Sequence, residues 1–250
     1  MIPYFATSVI VVSLKLFSQQ GLYVQNPVTP MSYLRILWCP EAGYFLWFIW
    51  SLWWMFCIIP FFKTVRSRTL LLLIAFVLHY VNPFIGLPVT FCISQTAGML
   101  LWFALGVSCF DYKDTLQELT MNIHIGWFAF LFALVEFVWI NGGGQIAALV
   151  LPYLGIAFIM RFSYAISRSE HIGTYVYISS CSYIIYLFHT TFMGLARAIL
   201  LKIPVMNNES DFIYTLTIAI VVTTGIICPI LLYGILRRFH ITRILFGLKG

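Results

Sequence analysis

Leu70-Leu71-Leu72-Leu73-Ile74-Ala75-Phe76-Val77-Leu78 is apolar at every position. A helix resting on water shows a polar face at helical spacing. A strand of an outer-membrane barrel alternates apolar and polar residues. This run does neither, so its solvent is lipid on every side that protein does not cover. The composition of the whole chain agrees. Of 250 residues, 62% are hydrophobic and 9% are charged, and the mean hydropathy is +0.96. A soluble domain carries about 25% charged residues. Fourteen Lys/Arg and eight Asp/Glu cannot cover the surface of a water-soluble protein of this length. A soluble enzyme, a disordered chain and a secreted disulfide scaffold are excluded. The class that remains is all-α: a polytopic integral membrane bundle forming a single domain over residues 1–250.

Outward from that run, eight apolar segments can be marked, at about 3–20, 44–62, 69–81, 88–110, 121–140, 144–161, 174–198 and 211–236. A spanning helix needs about 20 mostly apolar residues, so about eight spans are predicted. The third segment is short, ends at Asn82-Pro83, and either spans with tilt or re-enters. The first is interrupted by Lys15 and lacks the basic start and small-residue cleavage site of a signal peptide. With eight spans, one set of ends holds Lys63, Arg66, Arg68, Lys113, Arg161, Arg168, Arg237, Arg238, Arg243 and Lys249. The other holds Arg35, Arg197 and Lys202. Ten against three places both termini in the cytoplasm by the positive-inside rule. The same rule explains the net charge of +6 without nucleic acid.

The six cysteines have no metal-ligand spacing and read as small buried hydrophobes. Asn141-Gly142-Gly143-Gly144 reads as a turn. Asn208-Glu209-Ser210 matches a glycosylation triplet, a pattern that arises readily by chance. Gly98 and Gly106 read as positions of close helix packing. Trp47, Trp50, Trp53 and Trp54 read as lipid-facing or packing aromatics; Trp47, Trp50 and Trp54 share one helical face, which leaves open a stacking platform for a sugar.

Ionisable groups at membrane depth are costly and point to function by default. His189 lies well inside the seventh segment, where a neutral imidazole accepts or passes a proton or bonds a ligand hydroxyl. A histidine satisfied by a neighbouring helix is the plainer alternative. Glu136, in the fifth segment, is expected to be protonated or paired, with Arg35 and Arg197 on its side of the membrane. Glu41 stands just outside the second segment, either solvated at a helix start or facing a cavity as a sugar contact. His79 reads as interfacial. Arg161 reads as a positive-inside anchor or as a contact for a phosphate.

Ser182-Tyr183-Ile184-Ile185-Tyr186-Leu187-Phe188-His189 resembles the Ser-x-x-(Ile/Leu)-Tyr-Leu-x-His pattern in the penultimate span of the membrane acyltransferase 3 family. Leu46-Trp47-Phe48-Ile49, Phe103-Ala104-Leu105-Gly106 with a short polar loop after it, and Leu232–Arg238 with Leu245-Phe246-Gly247 resemble further family segments in the same order. The resemblance implies transfer of an acyl group, commonly acetyl, from cytoplasmic acetyl-CoA to a hydroxyl of a sugar or glycan. Acetyl-CoA is then the acyl donor, and no metal is implied. Expected partners are membrane lipid and the sugar or glycan acceptor, with a homodimer also open and no nucleic acid. The expected location is the bacterial cytoplasmic (inner) membrane.

Carried onto this chain, the resemblance makes His189 the candidate for a supporting acid/base or acceptor-binding role. Glu41, Trp47 and Tyr186 become candidate acceptor contacts, and Arg161 and Arg168 candidate contacts for the phosphates of CoA. One departure stands. The family's first span carries an Arg-x(about 10)-His arrangement whose histidine is regarded as the catalytic base, and Met1-Ile2-Pro3-Tyr4-Phe5 resembles the segment that follows it. The resemblance therefore implies a chain lacking two N-terminal spans of about ten. Two rival readings are a transporter or flippase of a lipid-linked sugar, and an inactive acyltransferase remnant.

Overall fold

A computed structural model describes residues 1–24, 26–142, 144–168, 172–203 and 211–248. Every regular element among the described residues is helical. They fall into two compact units, residues 1–105 with 180–250, and residues 106–179.

In the first unit, α1 (Ile2–Ser18) opens with Pro3 in its first turn, where the missing N–H costs no helical bond. Tyr4, Thr7, Ser8, Val11 and Val12 are its buried residues, spaced along one face. The Tyr4 hydroxyl donates to Ile36 O at 2.7 Å, with Cys39 O at 3.0 Å. That bond ties α1 to the turn after the short α2 (Ser32–Arg35). A 3-10 turn at Tyr44–Leu46 leads into α3 (Trp47–Ile58).

The helix α4 (Val65–Ile85) is longer than the apolar run that announced it, at 21 residues. Thr64 and Ser67 form a reciprocal cap that starts the helix before the apolar residues begin. Pro83 does not end it; the helix runs two residues further, to Ile85, and is capped by Gly86 in the left-handed region at φ +66°. Its length of about 32 Å is enough for a full crossing. Next comes a turn, Thr90–Cys92, in which Phe91 and Cys92 both have positive φ. Phe91 is held there from both sides: its N–H donates to Trp38 O at 2.7 Å, and its carbonyl accepts from Trp54 Nε1 at 3.0 Å. Then follow α5 (Ile93–Asp111), which belongs to this unit as far as Leu105, α9 (Ile172–Leu200), which belongs to it from Ser180, α10 (Asp211–Leu236) and α11 (His240–Phe246).

Two cores form in this unit. One joins Tyr4, Val12, Leu46, Ile49, Trp50, Ile184, Leu187, Phe188 and Phe246. The other joins Met55, Leu71, Ala75, Leu100, Leu101 and Ala104 of α3, α4 and α5. Trp50 is 6% exposed and meets Tyr4 edge-on at 5.6 Å. Trp54 bonds the Phe91 carbonyl. Of the three tryptophans on one face, Trp50 thus packs into protein, whereas Trp47 and Trp54 are half-buried.

The second unit holds α6 (Lys113–Met121), α7 (Ile125–Ile140) and α8 (Gly144–Ser167). The polar loop expected after Gly106 is the helix α6, and α7 leaves it at an 89° bend. His124 caps α7, its Nδ1 accepting from Gly126 N at 3.1 Å. The fifth segment therefore starts four residues later than expected, as one limb of a bent pair. Asn141 and Gly142 turn as expected, with Gly142 at φ +87°; Gly143 and the triplet Asn208-Glu209-Ser210 lie outside the described residues.

By length and composition six helices can cross a membrane, and seven if the bent pair is one span. The eighth expected span is α1, which has 17 residues and reaches about 26 Å. Most large apolar side chains outside the two cores are exposed, which is the surface lipid requires of an integral membrane protein. The cysteines follow the same division: Cys92 and Cys181 are buried, whereas Cys57 is exposed and Cys39, Cys109 and Cys228 are intermediate. In lipid an apolar run need not be buried in protein, so burial did not follow from hydropathy.

Candidate active site at His189

His189 lies on α9 in the first unit and is half-buried. Its Nδ1 faces two backbone carbonyls of its own helix, Ile185 O at 3.0 Å and Tyr186 O at 2.9 Å. Carbonyl oxygens only accept, so Nδ1 carries the hydrogen. In the neutral ring Nε2 then presents the lone pair. Nε2 has no hydrogen-bond partner among the described residues. The helix alone thus selects the tautomer and presents one acceptor nitrogen.

The ring is held by aromatics from the approach to α3. Phe45 meets His189 edge-on at 5.5 Å between centroids, and meets Tyr186 at 6.0 Å. Phe48 meets Tyr186 at 5.6 Å. The Tyr186 hydroxyl donates to Phe45 O at 2.5 Å, across 141 residues of sequence. This bond fixes the turn before α3 against α9. On the other side, a Cβ on Gly225 of α10 would stand 2.5 Å from Met193 Cγ and 3.5 Å from His189 O. Glycine at 225 is what lets α10 lie close to the His189 turn.

Beside this turn is a cavity of about 360 Å³. The two residues after His189, Thr190 and Thr191, line it together with Phe45, Lys15 and Arg197. Its volume is at the lower end of ligand pockets, enough for a small head group and not for an oligosaccharide. The sequence reading marked Lys15 only as an interruption of an apolar segment. That interruption was the one signal that could have found the cavity.

The remaining sequence candidates are distributed as follows. Tyr186 and His189 are brought together with Phe45, as described. Trp47 is half-buried, packs against the first core and stacks edge-on with Phe48 at 6.0 Å; it is not among the residues lining the cavity. Glu41 Oε1 accepts from Ser32 Oγ at 2.9 Å and from Arg35 at 3.2 Å. This ion pair is solvent-accessible, with Glu41 27% and Arg35 54% exposed, and such pairs contribute about 0–1 kcal/mol. Arg35 therefore pairs with Glu41, six residues away across one turn. Glu136 is exposed on α7. In the same turn the Cys39 thiol is pushed above its ordinary value, first by burial and then by the Glu41 carboxylate. It is therefore a poor thiolate nucleophile.

His79 joins helices: its Nδ1 bonds Gly98 O at 2.5 Å, and its ring meets Trp102 at 5.9 Å. Gly98 would carry a Cβ 3.5 Å from Asn82 Nδ2, whereas a Cβ at Gly106 meets nothing within 4 Å. Close packing is thus a property of Gly98 and not of Gly106. Arg161 and Arg168 belong to the second unit. Arg161 Nε donates to Ile123 O at 3.1 Å, which ties α8 to the corner between α6 and α7. Arg168 is exposed in the turn after α8.

An all-helical apolar bundle with a tautomer-selected histidine on its penultimate long helix defines a membrane-embedded class of protein. The family model of the acyltransferase domain, acyltransferase 3, matches residues 1–234. The chain belongs to that family. Comparison with curated proteins and with solved structures gives no match.

Proposed function

We propose that this protein transfers an acyl group, in the first instance acetyl, from acyl-CoA to a hydroxyl of a sugar or glycan at the bacterial inner membrane. Membership of an acyltransferase family supports acyl transfer as the reaction class. The observation that carries the site assignment is His189, whose Nδ1 is engaged by backbone carbonyls and whose Nε2 is left as an acceptor.

In this reading His189 Nε2 accepts the hydrogen of the acceptor hydroxyl as its oxygen attacks the thioester carbonyl. A carbon–oxygen bond forms, and the carbonyl oxygen takes the negative charge. When the intermediate collapses the carbon–sulfur bond breaks, and the CoA thiolate takes the proton from the imidazolium to leave as free thiol. Tyr186 acts by holding Phe45, and through it the ring of His189. Glu41 and Trp47 are proposed acceptor contacts. Arg161 and Arg168 are proposed to meet the phosphates of CoA, to which guanidinium groups bind in a forked, charge-assisted geometry.

The test is transfer of label from acetyl-CoA into membrane glycan by membranes expressing the full chain. Incorporation that is lost in His189→Ala supports the reading. Incorporation that persists in that variant moves the base elsewhere, and uptake or lipid flipping without acetyl-CoA would replace the reading with transport.

A further inference from the structure

We propose that residues 237–245, from the end of α10 through α11, are a docking surface for an acidic phospholipid. Its phosphate meets the arginines of the segment, and its chains lie against an apolar face of α11. The proposal rests on the membrane class of the chain and not on the acyl-transfer reading.

Helix length places the segment. α10 has 26 residues and reaches about 39 Å, more than the hydrocarbon core of a bilayer, which is about 30 Å thick. Arg237 and Arg238 follow its last residue and are exposed, so they stand at the level of the head groups. α11 has seven residues, about 10 Å, and is too short to cross. The Thr242 hydroxyl donates to the carbonyls of Leu236 and Phe239, which holds α11 against the end of α10.

The faces of α11 are the reverse of those a helix shows to water. Phe246 is 3% exposed and meets Phe188 of α9 edge-on at 5.5 Å. Ile241, Ile244 and Leu245 are 71%, 55% and 37% exposed, and at helical spacing they fall on one arc opposite Phe246. Phe239, just before the helix, is exposed as well. A short helix whose outward face is apolar lies in the plane where head groups meet acyl chains.

Charge selects the lipid. Arg237, Arg238 and Arg243 fall within seven residues, and residues 212–250 contain no Asp or Glu. Among the described residues none of the three arginines forms an ion pair. A guanidinium holds phosphate in a forked, charge-assisted geometry. A zwitterionic head group brings its own cation to that phosphate, whereas an acidic one leaves the negative charge to the arginines. Basic residues beside an apolar face at the end of a span are the pattern that recognises acidic lipid.

The experiment is native mass spectrometry of the full chain, purified in a mild uncharged detergent and titrated with phosphatidylglycerol or with phosphatidylcholine of the same chains. The first phosphatidylglycerol is expected to bind about tenfold tighter than the first phosphatidylcholine. Arg237→Gln combined with Arg238→Gln, and separately Arg243→Gln, each reduce that preference severalfold. Ile241→Ser combined with Ile244→Ser weakens both lipids by a similar factor, since the chains and not the head group are affected. Arg66→Gln, at another basic end of the same unit, leaves the preference unchanged. Arg237 and Arg238 are exposed, so their substitution is tolerated by the fold, and they decide the matter should the Arg243 variant fail to fold. Equal binding of the two lipids, or a preference that survives loss of all three arginines, overturns the proposal. So does an equal loss in Arg66→Gln, which would mark a diffuse effect of net charge. Displacement of phosphatidylglycerol by glycerol 3-phosphate at matching concentration would mark a site for soluble phosphate and likewise overturn the lipid assignment.

Discussion

α8 and α9 are both long apolar helices, and by hydropathy α8 is the more lipid-like of the two. Yet the most apolar stretch of α9 is 28% buried in protein, against 6% for that of α8. α9 buries Cys181, Ile184, Leu187, Phe188 and Ala198, and it carries His189, Thr190 and Thr191. The difference teaches that hydropathy reports which solvent a helix tolerates, not which neighbours it has. Lipid satisfies apolar side chains everywhere and polar ones nowhere. The helix with polar cargo must therefore be the one that finds protein, while a helix of Leu, Ile and Phe needs no protein partner on most of its surface.

That contrast can be broken or sharpened by substitution. The largest effect is expected at the polar cargo itself: His189→Ala should lower acetyl transfer by about two to four orders of magnitude, read as label incorporated per unit of folded protein. Next, Leu187→Ala, at a side chain with no exposure, should cost about 2–5 kcal/mol. Leu149→Ala, at 46% exposure on α8, should cost well under about 1 kcal/mol. The two are compared by thermal unfolding in one detergent, and equal losses would remove the distinction between the helices. Arg161→Gln and Arg168→Gln are expected to raise KM for acetyl-CoA about tenfold with kcat little changed; a fall in kcat alone would return Arg161 to its tie with Ile123. Tyr186→Phe removes the bond to Phe45 O and should cost about 1 kcal/mol, with a severalfold loss of transfer through the loosened His189 ring. The smallest effect belongs to the exposed pair. Glu41→Gln should change stability by less than about 1 kcal/mol, so any larger loss of transfer measured in the same variant would mark Glu41 as an acceptor contact.

The ends of helices were less legible than their middles. α4 begins at Val65 because Thr64 and Ser67 cap one another, a local signal that hydropathy ignores. It continues through Pro83 to Gly86, because a proline in the last turn displaces few helical bonds. α7 begins late because His124 caps it after an 89° bend. The tryptophans of α3 were legible as aromatics and not as core. Trp50 and Trp53 are three residues apart, yet one is 6% and the other 38% exposed, since only Trp50 is reached by Tyr4 and Phe91.

The sequence by itself determined the membrane class, the helical architecture and the family resemblance. All of these rest on local properties: composition, run length and one short motif. Only the tertiary structure decided that Phe45 packs on the His189 ring, that Arg35 answers Glu41, and that Lys15, Thr191 and Arg197 share a cavity. Those residues are separated by up to 182 positions in the chain, and hydropathy carries no information about which faces meet. The decision is made by packing, because the faces that meet bring together residues far apart in the chain.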